Sequence, residues 1–408
     1  MLITKRVPTG RETGPTCAVW EVTLRCNQKC RFCGTSAGRP REHELTTAEC
    51  IDVIRQLAEL GIREVGLHGG EAYLRPDWLA LLRAIRDRGM DATLVIGGRG
   101  FDATMAHEAR AAGLTAVSVS VDGLETTHDD LRGATGSFQA AVAAMRHLQR
   151  AGVPVACNTQ LNRRNYRELL PLVEALAPFQ LHGWQVQLML PMGRAEDASD
   201  LWLQPYDLLA LMPEVARMRK RCDALGIRLW AGDNLGCFGP FEHTSRAERT
   251  RSGHSGCCSA GILTIGIDAH GDVKGCSAMS GDGFVSGNVR SSTIRQIWDA
   301  APQLRISRDF EVGALWGFCR SCYYADLCWG GCVCTAASLL GRPGNNPYCH
   351  HRAIEWLAQG RRERITPVRP EVGLVGSPAR FEVSVKDAPV DFVRTMQELE
   401  RTVLGEVD

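Results

Sequence analysis

Apolar and polar positions from the start of the chain to Gly232 switch between two periods. Short runs that are alternating or continuously apolar predict strands at VWEVTLRC (19–26), EVGLHGG (64–70), DATLVIGG (91–98), AVSVSVDG (116–123), VPVACNTQL (153–161), WQVQLML (184–190) and IRLWAG (227–232). Helical spacing fills the intervals. TAECIDVIRQLAELG (47–61) sets Ile51, Ile54, Leu57 and Ala58 on one face, with Gly61 as C-cap. The same spacing recurs at 78–89, 103–113, 137–152, 169–178 and 205–226, with Ser137 as the N-cap of its helix. Strand–helix units repeated in this way predict a parallel sheet with right-handed crossovers, as a barrel, a partial barrel or an open doubly wound sheet. In each of these, functional loops sit at the carboxyl ends of the strands.

The texture changes after about Ser252. Helical patterning fades, and residues 257–349 hold nine of the 17 cysteines. Metal coordination can stabilise such a segment in place of a large core. A charged stretch follows (QGRRERITPVRP, 359–370). FEVSV (381–385) then predicts a strand and APVDFVRTMQELERTV (388–403) a helix.

Composition narrows the function. Of 408 residues, 44% are hydrophobic and 23% charged, the balance of a globular chain. Lys plus Arg number 47 against 46 Asp plus Glu, so the charge gives no support for a nucleic-acid or membrane-surface role. No apolar run is long enough to span a bilayer, and MLITKRVPTGRETGP lacks the apolar core of a signal peptide, which predicts a cytoplasmic location. In that setting 17 cysteines point to metal-binding thiolates rather than disulfides.

Cys26, Cys30 and Cys33 form C-x3-C-x2-C directly after the first strand. Three thiolates hold three irons of a cubane and leave the fourth open to a substrate or cofactor; closed electron carriers use four cysteines per cluster. A closed zinc site also takes four protein ligands, and no fourth lies nearby in the sequence. This loop resembles the signature of the radical S-adenosylmethionine (SAM) enzymes, and Phe32 before the third cysteine fits that family. Gly69-Gly70-Glu71 resembles its GGE motif, which in the family contacts the methionyl amino group of SAM. SVDG (120–123), with Ser120 and Asp122, is similar to a recurrent family segment at the end of the fourth strand. DDLRG (129–133) resembles the arginine-bearing turn, which places Arg132 near the SAM carboxylate. Taken singly, Gly69 and Gly70 are a plain strand-to-helix turn, Glu71 a first-turn acid and Arg132 a surface charge. In order on successive strands they reinforce one another. The resemblance covers residues 18–230 and implies an α/β fold with a partial (β/α)6 radical SAM barrel. One segment departs from the family: Ile96-Gly97-Gly98 stands where many relatives have a Thr-Asn-Gly-like sequence that supplies a ribose contact. Gly97, Gly98 and Gly100 do not have the spacing of a dinucleotide fingerprint.

A second constellation runs Cys258-x12-Gly271-x4-Cys276, Cys319-x2-Cys322-x5-Cys328-x3-Cys332 and Cys349. It resembles the seven-cysteine signature of the SPASM domain, which binds two auxiliary [4Fe–4S] clusters. The resemblance implies Cys258, Cys276 and Cys332 on the first and Cys319, Cys322, Cys328 and Cys349 on the second. Paired zinc knuckles would need more C-x2-C spacings than the single one in this segment. The first auxiliary cluster lacks a ligand: Cys237 and Cys257 are candidates, or its iron is open. Cys50, Cys157 and Cys222 fall inside regular elements, as small buried hydrophobes do. Cys334, beside a predicted ligand, is inert, a hydrogen donor or a further iron ligand.

The resemblance implies three [4Fe–4S] clusters, one of them SAM-binding, together with SAM. In the family one electron from the reduced cluster splits SAM into methionine and a 5′-deoxyadenosyl radical, which abstracts hydrogen from an unactivated C–H bond. Relatives with full SPASM domains mostly modify ribosomally made peptides. The implied function is therefore a peptide maturase that forms a crosslink or another oxidative modification, served by a flavodoxin- or ferredoxin-like electron donor. Ser277 follows Cys276 where formylglycine-forming relatives tend to have aspartate, which disfavours that branch. The stretch before Cys26 is too short for a leader-binding domain. Leader recognition then falls to a separate leader-binding protein or to the tail, through a FEVSV edge or the apolar face of Phe392, Met396, Leu399 and Val403. Packing on the protein's own surface is the plainer role for that face. A small-molecule substrate and a pure electron-transfer protein are the alternatives; the open three-cysteine loop argues against the latter. The expected domains are 1–17 as an extension, 18–235 as the barrel, 236–358 as the auxiliary-cluster domain and 359–408 as a tail.

Overall fold

The computed structural model describes residues 14–232, 234–236, 238–246, 258–279, 281–368 and 380–407. Seven parallel strands follow in chain order: β1 (Cys17–Thr23), β2 (Glu64–Gly69), β3 (Asp91–Ile96), β4 (Ala116–Ser120), β5 (Val155–Leu161), β6 (Gly183–Leu188) and β7 (Arg228–Ala231). The sheet is open, because β1 does not close on β7. Its other edge takes β8 (Thr264–Ile267) in parallel, and β9 (Asp272–Lys274) and β10 (Gly287–Asn288) extend the sheet antiparallel to ten strands. The cysteine-rich segment is thus joined to the strand that feeds the first cysteine loop.

Register gives the sheet two unlike faces. One row pairs Trp20 with Leu67 and Ile267, and Leu67 with Leu94; another runs Val119, Cys157, Trp184, Leu229. All are buried and share one apolar cluster with helix residues such as Ile54, Leu57, Leu81, Met145 and Leu172. Burying each of the larger side chains contributes about 1.5–3 kcal/mol. The alternate positions point the other way. There Glu21 pairs with His68, Ser120 with Asn158, Asn158 with Gln185, Gln185 with Trp230, and Gln160 with Gln187. This inner face is polar.

The helix Thr47–Leu60 opens on a capping box of Thr46 and Glu49, and Gly61 closes it as expected, at φ 93°. Ser137 is not an N-cap. Gly136 takes that position at φ 77°, and Ser137 is buried in the first turn with its hydroxyl near His128 and Gln28. DDLRG is not an isolated turn but the end of a helix, Glu125–Arg132, closed by Gly133 at φ 60°. Its amino end is capped from outside, since Glu168 accepts from the Leu124 amide at 2.9 Å. The charged stretch forms β11 (Arg361–Pro367), antiparallel to β12 (Phe381–Asp387). The helix Val390–Val407 packs on the protein itself: Phe392 and Met396 lie against Leu209, Ala353 and Leu357, and Val403 is fully buried. Cys50, Cys157 and Cys222 are all buried. No helix among the described residues is long and apolar enough to cross a membrane.

Candidate active site

The loop after β1 holds Cys26, Cys30 and Cys33 at the carboxyl end of the strand, and neighbouring elements pin it. The Cys26 amide donates to the Gly38 carbonyl at 2.9 Å, and the Arg31 amide to the Leu131 carbonyl at 2.9 Å. Arg194, from the turn after β6, donates from Nε to the Cys30 carbonyl and from Nη1 to the Ala37 carbonyl, both at 2.8 Å, while its amide reaches the Cys33 carbonyl at 3.0 Å. Gly193 makes this approach feasible: at φ 57°, a Cβ there would lie 2.5 Å from the Gly34 carbonyl oxygen. Cys30 is buried, and Cys26 and Cys33 are partly exposed. Burial pushes the Cys26 thiol up to about 11 and raises Cys30 as well, with Arg132 opposing the latter. Such thiols ionise when a metal takes the proton's place. Among the described residues no three His, Cys, Asp or Glu side chains converge on a single ion.

The end of β2 lies against this loop. The Gly70 amide donates to the Thr23 carbonyl and the Glu71 amide to the Arg25 carbonyl, both at 2.8 Å. A Cβ on Gly69, at φ 136°, would stand 2.1 Å from the Thr23 oxygen, and one on Gly70 2.2 Å from the Arg25 oxygen. Both glycines are therefore demanded by close backbone approach. Glu71 is 2% exposed; it stands at the N-cap of the short turn Ala72–Leu74, but its side chain makes no capping hydrogen bond. Its Oε1 accepts from the Gly97 amide at 2.8 Å and from Gln28 Nε2 at 3.4 Å. Its Oε2 is sealed from solvent and has no hydrogen-bond partner; the nearby Tyr73 hydroxyl donates to the Arg99 carbonyl at 2.8 Å. Burial raises the Glu71 carboxyl to about 7, against the opposing Gly97 amide, Arg132 and the Tyr73 hydroxyl. Gly97 accounts for the unusual third-strand segment: a Cβ there would meet Gln28 Nε2 at 2.3 Å and Glu71 Oε1 at 2.5 Å.

Arg132 is not a solvated charge. It is 8% exposed, lies over the Phe32 ring at 5.3 Å and donates from both Nε and Nη2 to Asp122 Oδ2, the first at 2.8 Å. Its Nη1 points to Cys30 Sγ at 3.7 Å. Asp122 is fully buried; its Oδ1 accepts from the Gln160 amide at 2.8 Å, so both oxygens are committed within the protein. Its backbone is fixed too, since its amide donates to His128 Nδ1 at 3.0 Å and its carbonyl accepts from Asn165 at 2.8 Å. Ser120 sits on the inner face at the end of β4, next to Asn158 in register.

The auxiliary cysteines lie in two separate places among the described residues. Cys319, Cys322, Cys328 and Cys349 line one small pocket with Phe238, Phe318 and His351. Cys258, Cys276 and Cys332 belong to a separate apolar cluster with Ala260, Met279 and Phe284, and Cys334 is a member of it. Cys237 and Cys257 lie outside the described residues. Leu190, just beyond β6, packs against both this cluster and the main core.

The sequence did not single out Gln28, His128 or Arg194. Gln28, buried between two cysteines of the loop, carried a legible signal: an amide there has to find partners. Arg194 had none, because its role depends on a contact with a loop at the far end of the barrel sequence.

These residues fit SAM and iron–sulfur clusters: a buried carboxylate oxygen without a partner beside the cysteine loop, and thiols grouped in threes and fours. Family models agree. Residues 20–174 match the Radical SAM superfamily and 257–323 the iron-sulfur cluster-binding domain SPASM. The chain is 29% identical over 359 residues to the AdoMet-dependent heme synthase of Methanosarcina barkeri, covering 83% of this chain and 97% of that one. It is 30% identical over 343 residues to the mycofactocin maturase MftC of Mycobacterium ulcerans, covering 82% and 88%. Its fold resembles Streptococcus suis SuiB bound to S-adenosylmethionine, with a TM-score of 0.65 at 18% identity, covering 82% of this chain and 76% of that one. In the structure of SuiB bound to the precursor peptide SuiA the TM-score is 0.63 at 16% identity, covering 82% and 74%. The chain belongs to the radical SAM superfamily and is an enzyme of its SPASM type, built to bind SAM and [4Fe–4S] clusters.

Proposed function

We propose that this enzyme is a peptide maturase, making a crosslink or another oxidative change in a ribosomally made peptide. Cys26, Cys30 and Cys33 hold the SAM-binding cluster. Cys258, Cys276 and Cys332 serve the first auxiliary cluster, and Cys319, Cys322, Cys328 and Cys349 the second, three clusters in all. Once bound and reduced, cluster and SAM supply a carbon radical able to take hydrogen from an unactivated C–H bond. The protein's part is to place the reactants and exclude water. Glu71 Oε2, lacking a partner, receives the methionyl ammonium. Asp122 positions Arg132, whose charge offsets the thiolate of Cys30 and faces the methionyl carboxylate. Gly69 and Gly70 let the end of β2 pack under the cysteine loop, and Gly97 leaves room for Gln28 and Glu71.

The observation that carries the peptide assignment is the inner face. Asn158, Gln160, Gln185 and Gln187 present neighbouring carboxamides, which donate and accept as peptide groups do. The indole of Trp230 covers Gly183 beside them; a Cβ on that glycine would lie 2.0 Å from the ring. Along β1–β7 the register puts one Lys or Arg on this face, Arg228, over the Trp230 ring at 5.7 Å. A heme-type substrate, rich in carboxylates, asks for several cations. The maturase name of the 30% identical relative points the same way, and the heme synthase favours a small-molecule reading.

The test uses the full chain, reconstituted anaerobically and supplied with SAM and a strong reductant. Candidates are short peptides encoded beside its gene and, separately, iron-bearing and metal-free tetrapyrroles. Stoichiometric 5′-deoxyadenosine and loss of two hydrogens from a peptide support the maturase. Turnover of a tetrapyrrole, with peptides left unchanged, overturns it.

A further inference from the structure

We propose that Cys334 is the fourth thiolate of the first auxiliary cluster, beside Cys258, Cys276 and Cys332. The proposal rests on the assignment of those three to one cluster. Four cysteines from three stretches of chain meet in a single small apolar cluster, closed by Ala260, Met279, Phe284, Val333 and Ala337. Four is the number of thiolates a cubane takes when all its irons are held by protein. Cys258 and Cys276 pack against the same cluster of which Cys332 and Cys334 are members.

Local structure favours the same assignment. Cys332 is the N-cap of the helix Val333–Leu340, and Cys334 stands in its first turn. One intervening residue relieves the crowding that adjacent cysteines would meet on one cluster. No side chain caps this helix, so its first amides are available to an anionic cluster. The Cys334 thiol meets the Ser338 hydroxyl at 3.8 Å, a long, weak partner for a side chain 3% exposed.

The test uses the full chain, reconstituted with iron and sulfide, with iron and sulfide counts, Mössbauer spectra and EPR of the reduced protein as readouts. Cys334→Ala should lose one cluster's iron, or keep a three-iron remnant, while Cys237→Ala and Cys257→Ala retain the full count. Cys334→Ser, which preserves volume and offers an oxygen ligand, should keep the cluster but shift its EPR signal; a purely structural cysteine would leave that signal in place. Unchanged iron and spectra in both Cys334 variants overturn the proposal. So does loss of the first auxiliary cluster in Cys237→Ala or Cys257→Ala. Cys258→Ala tests the underlying assignment: if it leaves the iron count unchanged, the three-cysteine set itself is wrong, and the proposal falls with it.

Discussion

Replacing Glu71 with glutamine separates a binding role from a structural one, because the two predict changes of opposite sign. The wild-type carboxyl is raised from 4.5 to about 7 by burial. At about 1.4 kcal/mol per unit, that shift amounts to roughly 3–4 kcal/mol as an upper bound. A carboxyl raised in the folded state costs nothing below the unfolded value. The folded chain therefore loses stability as pH climbs from about 4.5, and the loss is complete above about 7. The groups facing Glu71 are Arg132 on the helix beyond β4, Tyr73 in the following turn and Cys26 in the loop. Glu71→Gln keeps the shape and removes the titration, so relative to wild type it should melt higher at pH 8 and equally at pH 4.5. SAM binding should move the other way. Losing a hydrogen bond to a charged group costs about 1.5–3 kcal/mol, or roughly a 10- to 150-fold rise in Kd. Wild-type affinity should also fall by up to about tenfold per pH unit below about 7, as the carboxylate takes up its proton, while the variant stays flat. Equilibrium binding of SAM to the reconstituted protein at pH 6 and pH 8 measures both effects. Equal affinities, or equal pH slopes in the two proteins, would refute the assignment of Oε2 to the methionyl ammonium.

Three other changes probe the rest of the site. Gly97→Ala drives a methyl into Gln28 and Glu71, an overpacking cost of about 1–3 kcal/mol; both the melting temperature and SAM affinity should drop, and unchanged binding would show that Glu71 need not lean on β3. Asp122→Asn leaves the buried Arg132 without its counter-charge, a loss of about 3–5 kcal/mol, and adding Arg132→Met should restore part of it in thermal melts; a double variant no more stable than the single one contradicts the ion-pair account. Arg194→Ala frees the Cys30 and Ala37 carbonyls, each bond to a charged group being worth about 1.5–3 kcal/mol. Chelator should then strip the SAM-binding cluster faster than the auxiliary clusters, and uniform loss from all sites would count against a pinning role.

The strands and helices as far as Gly232 were legible because each carries its own periodicity, and the cysteine spacings were legible because ligand geometry is written into short loops. What escaped lies where a polar residue does the work of an apolar one. The strand β11 has Ile365 and Glu363 as its buried positions, and Glu363 is tolerated there because Arg352 pairs with it in the interior. Alternation carried by a buried ion pair is invisible to hydrophobic patterning. The helix Glu125–Arg132 escaped for a related reason: its buried residues are His128, Leu131 and Arg132, and its cap comes from Glu168, beyond the next helix and strand. Ser137 had the right chemistry for an N-cap, but its hydroxyl was claimed by the His128–Gln28 network beneath the cysteine loop. The inner face was present in the sequence as Asn158, Gln160, Gln185 and Gln187, yet only register shows that these carboxamides stand side by side.

Register also ties the two cysteine constellations into one sheet. Strand β1 ends in the three-cysteine loop; one edge pairs with β2, which ends in the glycines under that loop, and the other pairs with β8. The chain turns back over β8 to Cys276 so closely that a Cβ on Gly266 would sit 2.4 Å from the Ser277 amide nitrogen. Charge ties the same seam. Glu21 on β1 is buried beside Arg41 of the first loop, while Asp268 and Lys274 of the second segment pair at 3.2 Å. Burial lifts the Glu21 carboxyl to about 7, with Arg41 and Lys274 opposing and Asp268 reinforcing. An auxiliary segment held only by a linker could unfold without disturbing β1. Here loss of β8 would strip backbone hydrogen bonds from the strand that presents Cys26, and would leave Glu21 without Lys274. Weakening the β8–β1 pairing, for example by a proline at Ile265, should therefore reduce iron in the SAM-binding loop as well as in the auxiliary sites. Loss confined to the auxiliary iron would show that the seam is only a point of attachment.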